Sequence, residues 1–204
     1  MDYQKIAGGV LFGADVLDNA MRGVFIEAIA FHALSTYDAA LGTPPRWRHV
    51  GLGWGPWDLQ RGTAKTNDRV RVQVKAKAAK QLWTPQRERE PYYELGVSTD
   101  ETAPAYFARD YPVEIFGECE ASGYRTDLFL LAWHTNGTQS DPTNYDYFIV
   151  PVSELARAPT LPKRIAVRGL SPAYTASTFA DLPERLNAAA EACLSAGAPR
   201  EAAC

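Results

Sequence analysis

Arg69-Val70-Arg71-Val72-Gln73-Val74-Lys75-Ala76-Lys77 alternates apolar and polar residues without a break. Val70, Val72, Val74 and Ala76 fall on one side and Arg69, Arg71, Gln73, Lys75 and Lys77 on the other, the two-residue period of an extended strand. One face is core and the other is cationic. Taken alone, the alternation is equally that of a half-exposed antiparallel strand whose polar face meets water. A second meaning comes from Trp57-Asp58-Leu59 upstream, where an acid stands between two large apolar residues. An acid there is either a turn former or a site residue. Residues 62–68 between the two runs are polar and carry Asn67-Asp68, which predicts a hairpin with a loop of several residues. Such a hairpin brings Asp58, Gln73 and Lys75 onto adjacent strands, facing the same way.

Working outward, residues 16–41 place Leu17, Met21, Val24, Phe25, Ala28, Ile29, Phe31 and Leu34 at mostly three- and four-residue spacing. That period predicts an amphipathic helix with one buried stripe, and Glu27 lies at the edge of it. Gly42-Thr43-Pro44-Pro45 ends the helix. Further short β-branched or aromatic runs predict strands at 48–50, 57–60, 69–77, 93–97, 113–116, 127–134, 147–152 and 165–168. Residues 182–194 read as an Ala-rich helix, with Asp181 placed to cap it and Pro183 in its first turn. A helix, a run of strands and a late helix predict an α/β fold with a central mixed sheet flanked by helices. A single domain over residues 1–204 is expected, with its core at about 15–170.

With 204 residues, 46% hydrophobic and 22% charged, the chain is long enough to bury one sizeable core. A formal net charge of −3 gives no global pull toward a polyanion, so any nucleic-acid contact must be local. The three cysteines, Cys119, Cys193 and Cys204, are widely spaced and form no CxxC pair, which argues against a disulfide framework or a zinc site and fits a reducing cytoplasm. The short Gly-interrupted apolar run at residues 6–12 lacks the form of a secretory signal. No stretch of about 18 uninterrupted apolar residues suggests a membrane span.

Phosphodiester hydrolysis needs a hard cation on oxygen ligands and a cationic or basic group beside the attacking water. Asp58 offers a carboxylate, Gln73 a carbonyl oxygen and Lys75 an ammonium group. The spacing Asp-x(14)-Gln-x-Lys is a weak signal alone, since many hairpins meet it by chance. The residues around it add to it. Asp58 followed by Gln73-Val74-Lys75 resembles the D…(D/E/Q)xK signature of the PD-(D/E)XK, or restriction-endonuclease-like, nuclease superfamily. More narrowly, the chain resembles a bacterial branch in which a Trp-Asp-Leu strand leads to a hairpin, an (E/Q)VK strand and a Trp eight residues beyond the lysine, here Trp83. Arg22-Gly23, Glu27, Asp127-Leu128-Phe129-Leu130-Leu131 and Asp141-Pro142 before Tyr147-Phe148-Ile149-Val150-Pro151 extend the resemblance over most of residues 15–170.

The resemblance implies a restriction-endonuclease-like fold and a Mg²⁺- or Mn²⁺-dependent endonuclease acting on DNA, in restriction, repair or defence. It further implies Asp58, Gln73 and Glu27 as metal ligands and Lys75 as the catalytic lysine. One departure stands out. Most of the branch has Glu-Val-Lys where this chain has Gln73, which removes a negative charge. The alternative is therefore a catalytically silent nuclease-fold protein that binds nucleic acid or a protein partner. A glutamate in a helix is also commonly a solvated residue, so Glu27 has that second reading.

Residues 61–90 hold nine Lys or Arg against three acids, nine of the chain's 21 bases in 30 positions. Such an excess attracts phosphates even though the whole chain is acidic. Arg71, Lys77 and Lys80 are the expected nucleic-acid contacts. Trp83, Tyr92 and Tyr93 are either stacking platforms or, as is commoner, core aromatics. His32, His49 and His134 are far apart with no nucleophile elbow near them, which gives a Ser or Cys triad no support. His32 reads as packed and His134 as a strand end that can border the site. Gly51-Leu52-Gly53-Trp54-Gly55 lacks the helix and lysine of a phosphate loop. The oligomeric state is open, a homodimer included.

Overall fold

The computed structural model describes residues 9, 15, 17–50, 57–63, 68–79, 92–95, 124–155, 162–166, 172–176 and 178–196. The first helix, α1, spans Asn19–Ala40. It starts where the Asp18 side chain accepts from the Ala20 and Met21 N–H groups, two donors that the first turn cannot satisfy internally. At its other end Gly42 adopts φ 67° and donates to Ala39 O, the left-handed stop that glycine adopts without strain.

The buried stripe of α1 is Arg22, Ile26, Ala30, Leu34 and Asp38, a strict four-residue series with a charged residue at each end. The apolar pattern in the sequence misplaces it by part of a turn. Val24, Ala28 and His32 are exposed, and the ends of the true stripe are polar groups with dedicated partners. Arg22 donates to Gln139 Oε1 at 3.0 Å and Leu17 O at 2.7 Å, while Asp38 accepts from the Arg46 backbone N–H at 2.8 Å and Nε at 2.9 Å. Such pairing is what allows charges to be buried.

A six-stranded mixed sheet runs in the order β1-β2-β3-β5-β6-β8. Its strands are β1 Trp47–His49, β2 Leu59–Arg61, β3 Val70–Ala78, β5 Leu128–His134, β6 Tyr145–Pro151 and β8 Thr175–Ala176. β3 and β5 are parallel and the remaining neighbours antiparallel. β5 is buried at every position, as a central strand covered on both faces must be. A separate two-stranded sheet pairs β4 Tyr92–Glu94 with β7 Arg164–Ala166. The expected strand at 113–116 lies outside the described residues.

The alternation of β3 divides the packing as the sequence predicts. Val70, Val72, Val74 and Ala76 meet Ile26, Ala30 and Leu34 of α1 and Leu182, Leu186 and Ala190 of the last helix, α3 (Leu182–Ser195). Truncating Ile26 or Leu34 to Ala there costs roughly 2–5 kcal/mol. On the opposite face Phe129, Leu131 and Val150 pack with Tyr93, Leu95 and Tyr124, beside the four-residue helix α2 (Val152–Leu155). Trp47 Nε1 donates to Asn187 Oδ1 at 2.9 Å, tying β1 to α3. Asp181 precedes α3, but its side chain makes no capping bond. Its backbone already has the αR conformation (φ −81°, ψ −15°), whereas a capping carboxylate needs extended backbone to turn back onto the first turn.

Among the described residues no helix is long and apolar enough to cross a membrane.

Candidate active site

The hairpin forms, and its register decides the site. β2 pairs with β3 only through Leu59↔Val72, Gln60↔Arg71 and Arg61↔Val70, while β3 continues to Ala78 with β5 on its far side. Asp58 stands in the bend just before β2. Its backbone N–H donates to Val72 O at 2.9 Å, the residue already opposite Leu59, so two residues face one in the manner of a β-bulge. Beyond this point Val74 would present an unpaired edge N–H. Asp58 Oδ2 accepts it at 2.6 Å, so a carboxylate replaces the missing strand carbonyl. Leaving that buried donor empty would cost about 1–3 kcal/mol, which explains why an acid tolerates a site only 7% exposed.

The end of the hairpin is therefore where groups from both faces of the sheet meet. Glu27 comes from α1 on the valine face. Lys75 belongs to the alternate face with Gln73, and both are half-buried. Asp58 is pushed up to about 7, first by burial and then by the Glu27 carboxylate, against the opposing pulls of the Val74 N–H, Lys75 and His49. Glu27 is pushed up to about 7 by burial, with Lys75 drawing it down. Burial lowers Lys75, opposed by Asp58, Glu94 and Glu27. Two carboxyls and one amine thus share a desolvated space in which burial disfavours the charged form of each, the condition under which side chains become chemically useful.

Sequence reasoning missed two members. His49 Nε2 lies 3.4 Å from Glu27 Oε2, and the His49 ring lies 6.1 Å from that of Phe31. It gets there because β1 pairs with β2 through His49↔Leu59, which sets His49 beside the Asp58 bend. Glu94, on β4, adds a field at Lys75 and pairs with Arg164 at 3.1 Å. For His49 a signal did exist in the Arg48-His49-Val50 strand and its short span to Trp57. For Glu94 none did, because the covering sheet is built from segments 70 residues apart.

The expected nucleic-acid contacts fare differently from one another. Arg71 is no open cation. It is 8% exposed, bonds Asp127 through Nε at 3.1 Å and Nη2 at 3.0 Å, and stacks 5.4 Å from the Trp57 ring centre. Asp127 also accepts the Arg71 backbone N–H at 2.7 Å, so the pair joins β3 to β5. Lys77 is half-buried with Nζ 4.5 Å from the Tyr92 ring centre. Lys80 and Trp83 lie outside the described residues. Tyr93 is a core residue whose hydroxyl donates to Ala132 O at 2.7 Å. His134 is 3% exposed and packs on Tyr145, 4.9 Å between ring centres.

Asp58 and Glu27 are hard oxygen donors, the kind that Mg²⁺ or Mn²⁺ takes, while Gln73 lies half-buried on β3, two residues before Lys75. A cation would offset the burial that raises both carboxyls and the Glu27 field that adds to it at Asp58. Among the described residues no three His, Cys, Asp or Glu side chains gather closely enough to enclose an ion. Mg²⁺ does not require that, since it commonly keeps several waters and uses one or two carboxylates plus substrate phosphate. The residues present fit such an ion.

Comparisons with family models, with curated proteins and with solved structures find no match for this chain.

Proposed function

We propose that this protein is a metal-dependent endonuclease of the restriction-endonuclease-like class that hydrolyses DNA phosphodiester bonds. The observation that carries the reading is the meeting of Asp58, Glu27 and Lys75 at the open end of the β2–β3 hairpin, with Asp58 oriented by the Val74 N–H. A divalent cation held here would supply charge neutralisation at the phosphate and a more acidic water. Asp58 and Glu27 would hold it by their carboxylates, with Gln73 as the candidate amide oxygen. His49 braces the Glu27 carboxylate from β1.

Lys75, whose hold on its proton is weakened by burial, positions the attacking water through Nζ, and the proton of the water passes to solvent. The water oxygen forms the new P–O bond as the P–O bond to the leaving nucleotide breaks, and that oxygen gains a proton from solvent. A second reading, a silent relative that binds without cutting, is favoured by one observation. Gln73 stands where an acid would supply the third anion.

Supercoiled plasmid incubated with Mg²⁺ or Mn²⁺ separates the two. Nicking by the parent that is lost in Lys75→Ala supports the enzyme. Binding without nicking supports the silent reading, and neither binding nor nicking rejects both.

A further inference from the structure

Where the two-stranded sheet meets β3, Tyr92, Lys77, Arg164 and Glu94 form a cluster, and Glu94 also acts on Lys75 through its field. Tyr92 is one of few large apolar side chains left exposed among the described residues, at 38%. Over its ring lie two cations from different elements, Lys77 Nζ at 4.5 Å and Arg164 Cζ at 4.6 Å from the centre. Tyr92 and Glu94 share one face of β4, because Tyr93 between them is turned into the core. The register Glu94↔Arg164 then sets the guanidinium beside the ring.

Each cation is drawn to the negative face of the ring, which biases where its head group sits. Two like charges held on one ring nevertheless repel. Glu94 offsets Arg164 alone, at 3.1 Å, and among the described residues no acid pairs with Lys77. The cluster keeps a net positive charge at a partly open surface, and an anion would complete it. Its place along the strand is informative as well. Lys77 is two residues beyond Lys75 on the same face of β3, roughly 7 Å further on.

We infer that Lys77 and Arg164, fixed on the ring of Tyr92, form a clamp for a DNA backbone phosphate next to the one presented to Lys75. The inference rests on the nuclease reading and gives it a direction, with the strand running from the carboxylates along β3 toward the small sheet. Glu94 acts as a counterweight, holding Arg164 in place and yielding it when phosphate arrives.

The test is equilibrium binding of a fluorescent DNA duplex in EDTA, where metal does not contribute, over a range of salt concentrations. Lys77→Ala and Arg164→Ala should each lower the log–log salt slope by about 0.9, which corresponds to roughly eightfold weaker binding at 0.1 M salt relative to 1 M. Tyr92→Leu should weaken binding as well, because it frees both head groups, whereas Tyr92→Phe should not. Glu94→Gln should tighten binding, the sign opposite to that of a merely structural ion pair.

Unchanged slopes in both charge variants, with the parent still binding, overturn the clamp and leave the nuclease reading standing. A parent that does not bind DNA overturns both. Inorganic phosphate that displaces the duplex at matched ionic strength would make this a free-anion site and overturn the assignment to polynucleotide.

Discussion

Asp38 and Asp58 are both buried carboxylates, 1% and 7% exposed, and their surroundings are opposite. Asp38 ends the buried stripe of α1 and receives three donors from one residue, the backbone N–H, Nε and Nη2 of Arg46. Its charge is matched and its lone pairs are used. Asp58 receives one backbone donor and faces the second carboxyl of Glu27, with a lysine itself disfavoured as a cation by burial. The difference teaches where to look for function. A buried charge that is fully paired is a structural joint, and Asp127 with Arg71 is another. A buried pair of like charges destabilises the fold and is retained for what it can bind or do.

The comparison breaks if the two acids respond alike. Asp58→Asn should cut metal-dependent DNA cleavage by roughly 10²–10³-fold or more, as removal of an electrostatic stabiliser does. It should also raise the midpoint of thermal unfolding at neutral pH, since Asn still accepts the Val74 N–H and removes the repulsion with Glu27. Asp38→Ala should do the reverse, costing about 2–3 kcal/mol of stability while the folded fraction cuts normally. Cleavage assays and denaturation on both variants read this directly. Loss of cleavage in folded Asp38→Ala, or a large loss of stability in Asp58→Asn, would erase the distinction.

A smaller effect concerns pH. The carboxyls of Asp58 and Glu27 are raised from 3.8 and 4.5 to about 7 in the folded state. Between those limits the folded chain holds protons that the unfolded chain has released, so stability is greatest at low pH within this window and falls as pH rises through about 7. For one such group the loss between pH 5.5 and 7.5 is about 2 kcal/mol. Chemical denaturation of metal-free protein should show the decline, and Asp58→Asn should reduce it to the part that Glu27, raised by its own burial, still contributes. A stability that rises over that range would contradict the unmatched site.

Much of this was legible in advance. The unbroken alternation at 69–77 named β3 and its two faces, and the polar 62–68 segment named the hairpin. Together these put Asp58 near Lys75. What escaped was set by tertiary partners. Arg71 reads as an open cation until Asp127 arrives from 56 residues away. The stripe of α1 was misplaced because Arg22 and Asp38 are buried through Gln139 and Arg46, which an apolar count ignores. His49 and Glu94 fall in or beside strands that the sequence predicts, but what they face is set by the pairing of β1 with β2 and of β4 with β7.

The smallest expected effect sharpens the boundary of the site. Gly23 lies one turn before Glu27, and a methyl group there would sit 3.9 Å from Glu27 Oε1, an ordinary contact. Gly23→Ala should therefore gain about 0.5–1 kcal/mol of helix stability. Cleavage should be unchanged. A fall in cleavage would mean that the space beside Glu27 is used.

The most direct test is whether the Asp58–Glu27 pair holds a cation, and titration calorimetry with Mn²⁺ measures it. Modest binding by the parent, none by Asp58→Asn, and tighter binding by Gln73→Glu is the expected pattern, because hard cations bind more strongly as ligand charge rises. Equal Mn²⁺ affinity in the parent and Asp58→Asn, or no binding by either the parent or Gln73→Glu, would contradict it.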